Sequence, residues 1–111
     1  MTDNILKECL GSPQDLNSLV SYASDSVVSK TIINKDVGTV TLFAFDKGQS
    51  LSEHTSPYDA IVEVVDGKAT LTIDGKDIEV GAGQLIIMPG NVPHSVNANE
   101  KFKMVLIMIR A

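Results

Sequence analysis

Residues 48–67 read GQSLSEHTSPYDAIVEVVDG, a short β-type stretch that is bounded by glycines and contains one histidine, His54. The chain has one other histidine, His94, in the similarly punctuated stretch GQLIIMPGNVPHSVNA at residues 83–98. Both stretches combine β-branched and other apolar residues with glycine, proline and either aspartate or asparagine, a pattern typical of short strands joined by tight turns. The two histidines are therefore the first candidates for a shared functional site.

Short strand-like runs continue from Ser26 to the C-terminus. Turn residues separate them, for example Asp66-Gly67 and Asp74-Gly75. Asp74-Gly75 is the strongest turn signal, because a type I′ hairpin needs positive φ at both central positions. Many short strands without helical periodicity between them predict an all-β, antiparallel sandwich or barrel rather than a βαβ fold.

The N-terminal segment, residues 1–25, contains one predicted helix. Ser12 is a candidate N-cap, Pro13 occupies the first helical position, and apolar residues recur at helical spacing from Leu16 onward. The sequence therefore predicts a segment at 1–25 with a short helix, followed by a single β-domain at residues 26–111.

Composition and charge exclude several classes of partner. Nine Lys and Arg against fourteen Asp and Glu give a net charge of −5, with no basic cluster, so no nucleic-acid partner is expected. The longest apolar runs are far shorter than the ~20 residues that span a bilayer, so no membrane partner is expected. The single cysteine, Cys9, cannot form an internal disulfide, which favours a cytoplasmic location.

The stretch around His54 resembles the first motif of the cupin superfamily, which are small antiparallel jelly-roll barrels. That motif places histidines two residues apart, then a glutamate and a closing glycine. Gly48, His54 and Gly67 fall in register with it, while Ser56 occupies the second histidine position and Ala60 the glutamate position.

The stretch around His94 resembles the second cupin motif. Gly83, Pro89 and His94 fall in register, while Asn91 stands at a glycine position and Ala98 at an asparagine position. The resemblance covers roughly residues 37–109. It implies an all-β, antiparallel jelly-roll barrel with a short N-terminal helix.

The resemblance also implies a pocket and a metal inside the barrel. Family members hold Zn, Fe, Mn, Ni or Cu with the histidines and the glutamate of the two motifs. His54 and His94 are the metal ligands that this chain retains, and two are fewer than the three that catalytic zinc sites normally use. A metal-free, hydrogen-bonded pocket therefore remains the alternative. The binding pocket is expected at His54, Ser56, Ala60, Met88 and His94.

Other side chains could complete the ligand set. Side chains alternate along a strand, so Glu53 and Asp59 are expected to face away from the site, although a bulge near Pro57 would turn Asp59 inward. The remaining candidate donors are Tyr58, Gln84, Met88, Met104 and Met108.

Three functions follow from these patterns. The first is a barrel that binds a small molecule, with a divalent metal on the two histidines as an option. The second is a metal-dependent enzyme, an oxygenase, isomerase or lyase, with a reduced ligand set; its catalytic residues are unknown. The third is a structural dimer module. The last strand, Phe102 to Ile109, is apolar on both faces, which predicts a homodimer.

Overall fold

The computed structural model describes residues 4–111, and antiparallel strands make up most of that range. One α-helix, α1 (Leu16–Leu19), and a 3-10 turn at Lys7–Cys9 lie in the N-terminal part. The strands are β1 (Asn4–Ile5), β2 (Val27–Lys35), β3 (Gly38–Phe45), β4 (Ser50–His54), β5 (Asp59–Ile73), β6 (Lys76–Gly81), β7 (Leu85–Met88), β8 (His94–Asn97) and β9 (Phe102–Ile109).

The strands form two antiparallel layers that share β5. The first layer has the order β1-β2-β3-β9-β5-β7, and the second has the order β6-β5-β8-β4. The layers curl around one apolar interior, so the predicted all-β jelly-roll barrel is confirmed. No helix within residues 4–111 is long and apolar enough to span a membrane.

β5 passes from one layer to the other at Gly67. Residues up to Gly67 pair with β9, and those from Lys68 onward pair with β6. The predicted turn at Asp66-Gly67 is therefore wrong, because only Gly67 has positive φ (72°) and the strand bends without reversing. A side chain at Gly67 would clash with the carbonyl oxygen of Lys101.

The other Asp-Gly pair does reverse the chain. Asp74 and Gly75 have φ of 51° and 79°, and Ile73 pairs with Lys76 directly across the turn. Positive φ at both central residues is what a type I′ hairpin requires. The predicted hairpin between β5 and β6 is confirmed.

The N-terminal helix starts later than the sequence indicates. Its N-cap is Asp15, whose carboxylate accepts hydrogen bonds from the Asn17 N–H and the Ser18 hydroxyl, each at 3.2 Å. The predicted N-cap at Ser12, with Pro13 inside the helix, is wrong. The carboxylate of Asp15 caps a single turn, and the chain before it stays outside the helix.

The first layer buries apolar side chains on both of its faces. On the inner face, Phe45 and Phe102 stack with ring centroids 4.6 Å apart. On the outer face, Val20 of the N-terminal segment packs over Leu42 and Val105, and Val105 is 7% exposed. The chain therefore covers part of the outer face of β9 itself, which reduces the apolar surface that the dimer prediction relied on.

Polar contacts hold the N-terminal segment on this outer face. The Tyr22 hydroxyl donates to a carboxylate oxygen of Asp66 at 2.5 Å. The buried Lys103 ammonium donates to the backbone and side-chain oxygens of Asn17, both at 2.7 Å. Burial, together with the bond to Asp66, raises the pKa of Tyr22. These contacts lie beside the Gly67 bend, because Asp66 pairs with Lys103 across β5 and β9.

Candidate metal and ligand site

The two histidines form a cross-strand pair. His54 ends β4, His94 begins β8, and the two residues lie directly opposite each other in the antiparallel register. Side chains opposite each other on neighbouring strands share one face, and here the ring centroids are 4.3 Å apart at an interplanar angle of 72°. The strand register therefore brings the two rings into contact.

Each ring is fixed by a backbone carbonyl. Nδ1 of His54 lies 2.9 Å from the Ser52 carbonyl oxygen, and Nδ1 of His94 lies 3.1 Å from the Val92 carbonyl oxygen. The two Nε2 atoms face each other at 3.1 Å. A carbonyl oxygen only accepts, so a good contact at each Nδ1 requires the proton there, and both Nε2 lone pairs then point at each other.

The protons of two neutral rings cannot satisfy this arrangement. The two contacts from Nδ1 to a carbonyl oxygen and the contact between the Nε2 atoms each need one proton. Two neutral imidazole rings carry only two such protons between them. A third proton, or a metal ion bound by both Nε2 atoms, would remove the repulsion between the lone pairs of His54 and His94. His94 is 5% exposed, and burial lowers its pKa, which disfavours the extra proton on that ring.

A cavity opens beside this histidine pair. It encloses about 400 Å³ outside the protein atoms, including the part that is continuous with solvent. All five residues of the predicted pocket line it, although their role in binding stays a prediction. The full lining is Leu51, His54, Ser56, Tyr58, Ala60, Met88, His94, Val96, Met104, Leu106 and Met108.

Several lining residues were outside the predicted pocket. Met104, Leu106 and Met108 stand at alternate positions of β9 and share its inward face. Leu51 of β4 pairs with Val96 of β8, and this pair is the next one in the register after the histidine pair. Val96 lies two residues beyond His94 on the same face of β8. Alternation signals that such residues point inward, but it does not say which strands meet at the cavity.

The neighbouring carboxylates lie outside the cavity. Glu53 and Asp59 are exposed, and Asp59 accepts a hydrogen bond from the Gly90 N–H at 2.8 Å. The register of β5 with β9 runs unshifted from Asp59 to Val64, so no bulge turns Asp59 inward there. The side-chain oxygen of Gln84 accepts a hydrogen bond from the Gly81 N–H, and Gln84 does not line the cavity.

Two packed loops form the rim of the cavity. The Asn91 N–H donates to the Ser56 carbonyl oxygen at 2.6 Å, and a Cβ on Gly90 would lie 2.6 Å from the Pro57 carbonyl oxygen. Asn91, at the glycine position of the second motif, has φ of 66°, a conformation that asparagine tolerates better than most residues. The Ser56 hydroxyl oxygen accepts from the Tyr58 N–H at 3.2 Å, which fixes the turn.

The donor pair fits a metal ion only in part. Two Nε2 atoms that each lie ~2.0–2.1 Å from one zinc ion, with 3.1 Å between them, subtend about 100°. This angle lies between the right angle of an octahedral site and the wider angle of a tetrahedral one. However, residues 4–111 contain no group of three or more His, Cys, Asp and Glu side chains that could hold a metal ion. His54 and His94 can supply two ligands, and any others must come from different donors.

The fold and the paired histidine motifs define a small β-barrel of the jelly-roll class. The model of the cupin domain family Cupin_2 matches residues 41–110, so the chain belongs to the cupin superfamily. Among curated proteins none matches significantly.

Several solved structures are similar. A conserved protein of unknown function from Streptococcus pyogenes is 36% identical, with a TM-score of 0.87 over 90% of this chain and 88% of that chain. A cupin superfamily protein from Desulfitobacterium hafniense is 26% identical, with a TM-score of 0.85 over 89% and 91% of the two chains. A cupin 2 conserved barrel domain protein from Leptotrichia buccalis is 40% identical, with a TM-score of 0.80 over 82% of this chain, which spans 44% of that protein.

Proposed function

We propose that this protein is a single-domain cupin that binds a transition metal ion through His54 and His94 and accepts a small molecule in the adjoining cavity. The observation that carries the proposal is the 3.1 Å approach of the two Nε2 atoms, with both Nδ1 atoms engaged by carbonyl groups. Neutral imidazole is the form that ligates, and the lowered pKa of the buried His94 favours that form.

The cavity supports the small-molecule part of the proposal. It is concave, its walls are mostly apolar, and only four of its lining residues carry polar side-chain groups: His54, Ser56, Tyr58 and His94. Ligand pockets typically combine an apolar lining with a small number of placed polar groups. A small molecule with an apolar body and one polar end, such as a carbonyl or carboxylate, matches this distribution.

Metal titration tests the proposal directly. Chelator-treated protein is titrated with Zn(II), Ni(II), Mn(II), Fe(II) and copper by calorimetry, with thermal unfolding as a second readout. We expect one ion per chain, and a ligand at 100 times its dissociation constant stabilises the folded state by about 2.7 kcal/mol. His54→Ala and His94→Ala should each remove this stabilisation. If the unmodified chain binds none of these ions, the histidines share a proton and the pocket is metal-free.

The second candidate function is a metal-dependent enzyme: an oxygenase, isomerase or lyase with a reduced ligand set. It is favoured by the position of the cavity, which lies against both histidines and so allows a substrate to reach a metal held there. Such a metal would act as a Lewis acid on a substrate oxygen. In that case His54 and His94 orient the ion, and the aliphatic walls of the cavity exclude water.

We also propose that the protein forms a homodimer through the outer face of the first layer. Six aliphatic side chains lie in one cross-strand row on this face: Ile87, Ile61, Ile107, Val40, Ile33 and Ile5. At the ends of the row, Ile87 is 57% exposed and Ile5 is 41% exposed. The neighbouring row runs from Glu63 on β5 to Lys30 on β2.

A second copy suits this face better than an unrelated partner. A two-fold axis along the strands would place the β5 end of one copy against the β2 end of the other. Glu63 would then face Lys30 of the second copy, so opposite charges would meet at the margins of the apolar row.

The free Cys9 agrees with the cytoplasmic location that we propose for the protein.

A further inference from the structure

Ala60 stands where cupins carry a glutamate ligand, and it lies directly between two methionines. In the strand register Ala60 is opposite Met88 of β7 on one side and Met108 of β9 on the other. Neighbouring strands are ~4.7–4.9 Å apart, so only the Ala60 methyl group separates the two thioether side chains on this face. Met is unbranched and rotates about three bonds, which lets its sulfur extend over a small neighbour.

The same cavity contains three thioether side chains. The sequence has four methionines, and all three that follow Met1 line the cavity together with both histidines. The other walls are formed mainly by aliphatic side chains such as Leu51, Val96 and Leu106. Thioether sulfur selects soft ions, Cu(I) above all, whereas Mg, Ca and Mn prefer oxygen ligands.

Charge leads to the same choice of ion. Imidazole and thioether ligands are neutral, and the nearby carboxylates, Glu53 and Asp59, do not line the cavity. A divalent ion would keep its full charge of +2 beside apolar walls, and burying uncompensated charge is costly. A monovalent soft ion carries a charge of only +1, so burying it beside the same apolar walls costs less.

We propose that the metal of this site is copper in its reduced form, Cu(I), held by His54, His94 and the sulfurs of Met88 and Met108. This inference rests on the proposed metal site and names its ion. The two methionines replace the glutamate at the Ala60 position, so the ligand set has changed from hard to soft.

Anaerobic titration of the purified chain with Cu(I) against the chromophoric competitor bicinchoninate tests the choice of ion. We expect one Cu(I) per chain, and binding at least about tenfold tighter than that of Zn(II) measured in parallel. X-ray absorption of the Cu(I) form should show sulfur as well as nitrogen scatterers in the first coordination shell. A shell of nitrogen and oxygen alone would overturn the assignment.

Leucine variants separate the sulfurs from their packing. Met88→Leu combined with Met108→Leu conserves the apolar volume and should weaken Cu(I) binding at least about tenfold, while Zn(II) binding changes little. Met104→Leu is the matched control, because Met104 lines the same cavity but lies opposite Val64 rather than Ala60. Equal Cu(I) affinity in the double variant and the unmodified chain would disprove the role of the sulfurs.

The two proposals fail in different ways. If His54→Ala and His94→Ala abolish binding of Cu(I) and Zn(II) but the leucine variants bind Cu(I) normally, the histidine site stands and the thioether site is wrong. If the alanine variants still bind metal at the original stoichiometry, both proposals are wrong.

Discussion

His54 and His94 meet through their Nε2 atoms at 3.1 Å, while each Nδ1 lies against a backbone carbonyl two residues earlier in the chain. The carbonyl groups orient the rings, and the cross-strand pairing of β4 with β8 sets their separation. If both rings carry their proton on Nδ1, the two Nε2 lone pairs lie close together and would attract a cation. The proposed metal site would then need little rearrangement to bind an ion.

The buried member of this pair makes stability depend on pH. Burial lowers the pKa of His94 in the folded chain, while in the unfolded chain it keeps the ordinary value of ~6.5. Protons then bind the unfolded chain preferentially, so the stability present above about pH 6.5 is lost as pH falls toward the lowered value.

Urea unfolding in the presence of a chelator, between about pH 7.5 and 5.5, measures this effect. We expect the free energy of unfolding to fall with pH more steeply in the unmodified chain than in His94→Gln, since the variant lacks the titrating ring. Carboxylates titrate in both proteins, so the difference between the two slopes isolates His94. Identical slopes would contradict the assignment.

Restoring the family ligands should convert the site to one for harder ions. In the double variant Ser56→His and Ala60→Glu, two donors are added on the cavity face, and binding of Zn(II) or Ni(II) should tighten by at least about tenfold. Without metal the variant should be less stable than the unmodified chain. The reason is that Ala60 is buried, and a carboxylate placed there is costly when no cation offsets its charge.

The matched control for this restoration is Ser56→His with Ala60→Gln, which keeps the size of the side chain and removes its charge. It should bind Zn(II) more weakly than the glutamate variant. Calorimetry with both proteins gives the comparison, and equal affinities would mean that position 60 does not face the metal.

The Gly67 bend should tolerate substitution poorly. An alanine in the left-handed conformation costs roughly 1–2 kcal/mol, and its clash with the Lys101 carbonyl group adds about 1–3 kcal/mol of overpacking. Gly75→Ala is the control, because Gly75 also has positive φ but has open space around it. Chemical denaturation should therefore show a larger loss of stability for Gly67→Ala, and equal losses would argue against the clash.

The outer aliphatic row gives a prediction about assembly. Multi-angle light scattering at micromolar concentration should report a dimer for the unmodified chain and a monomer for Ile87→Glu, because a charge would be buried in the apolar interface. Lys76→Glu, an exposed charge change on the second layer, should leave the dimer intact. A monomeric unmodified chain would exclude the proposed interface.

Alternation and turn chemistry predicted much of this molecule. They identified the antiparallel all-β fold and the hairpin at Asp74-Gly75, and the family resemblance placed His54 and Ala60 on the cavity face. They failed at Asp66-Gly67, where the same dipeptide bends one strand rather than reversing it. Local sequence does not encode this difference, because it depends on which strands pair with β5 on either side of Gly67: β9 before the bend and β6 after it.

The finer geometry of the site was also beyond prediction. A register shift in β4 between Leu51 and His54 sets which residue faces His94, and no residue type in that stretch signals it. The position of Ala60 between Met88 and Met108 needs the order of three strands that are distant in sequence. Long-range pairing therefore decided what the sequence pattern left open.

The contacts of Tyr22, Asn17 and Lys103 bear on where this domain can be cut. The family match starts at residue 41. A fragment that began there would expose Leu42 and Val105 to solvent, and the buried Lys103 ammonium group would lose its hydrogen-bond acceptors on Asn17. Such a fragment would expose apolar surface and would therefore be prone to aggregation. We therefore expect the smallest stable fragment to include residues 17–22 as well as the matched range, so that the limits of the family match would not be the limits of the foldable unit.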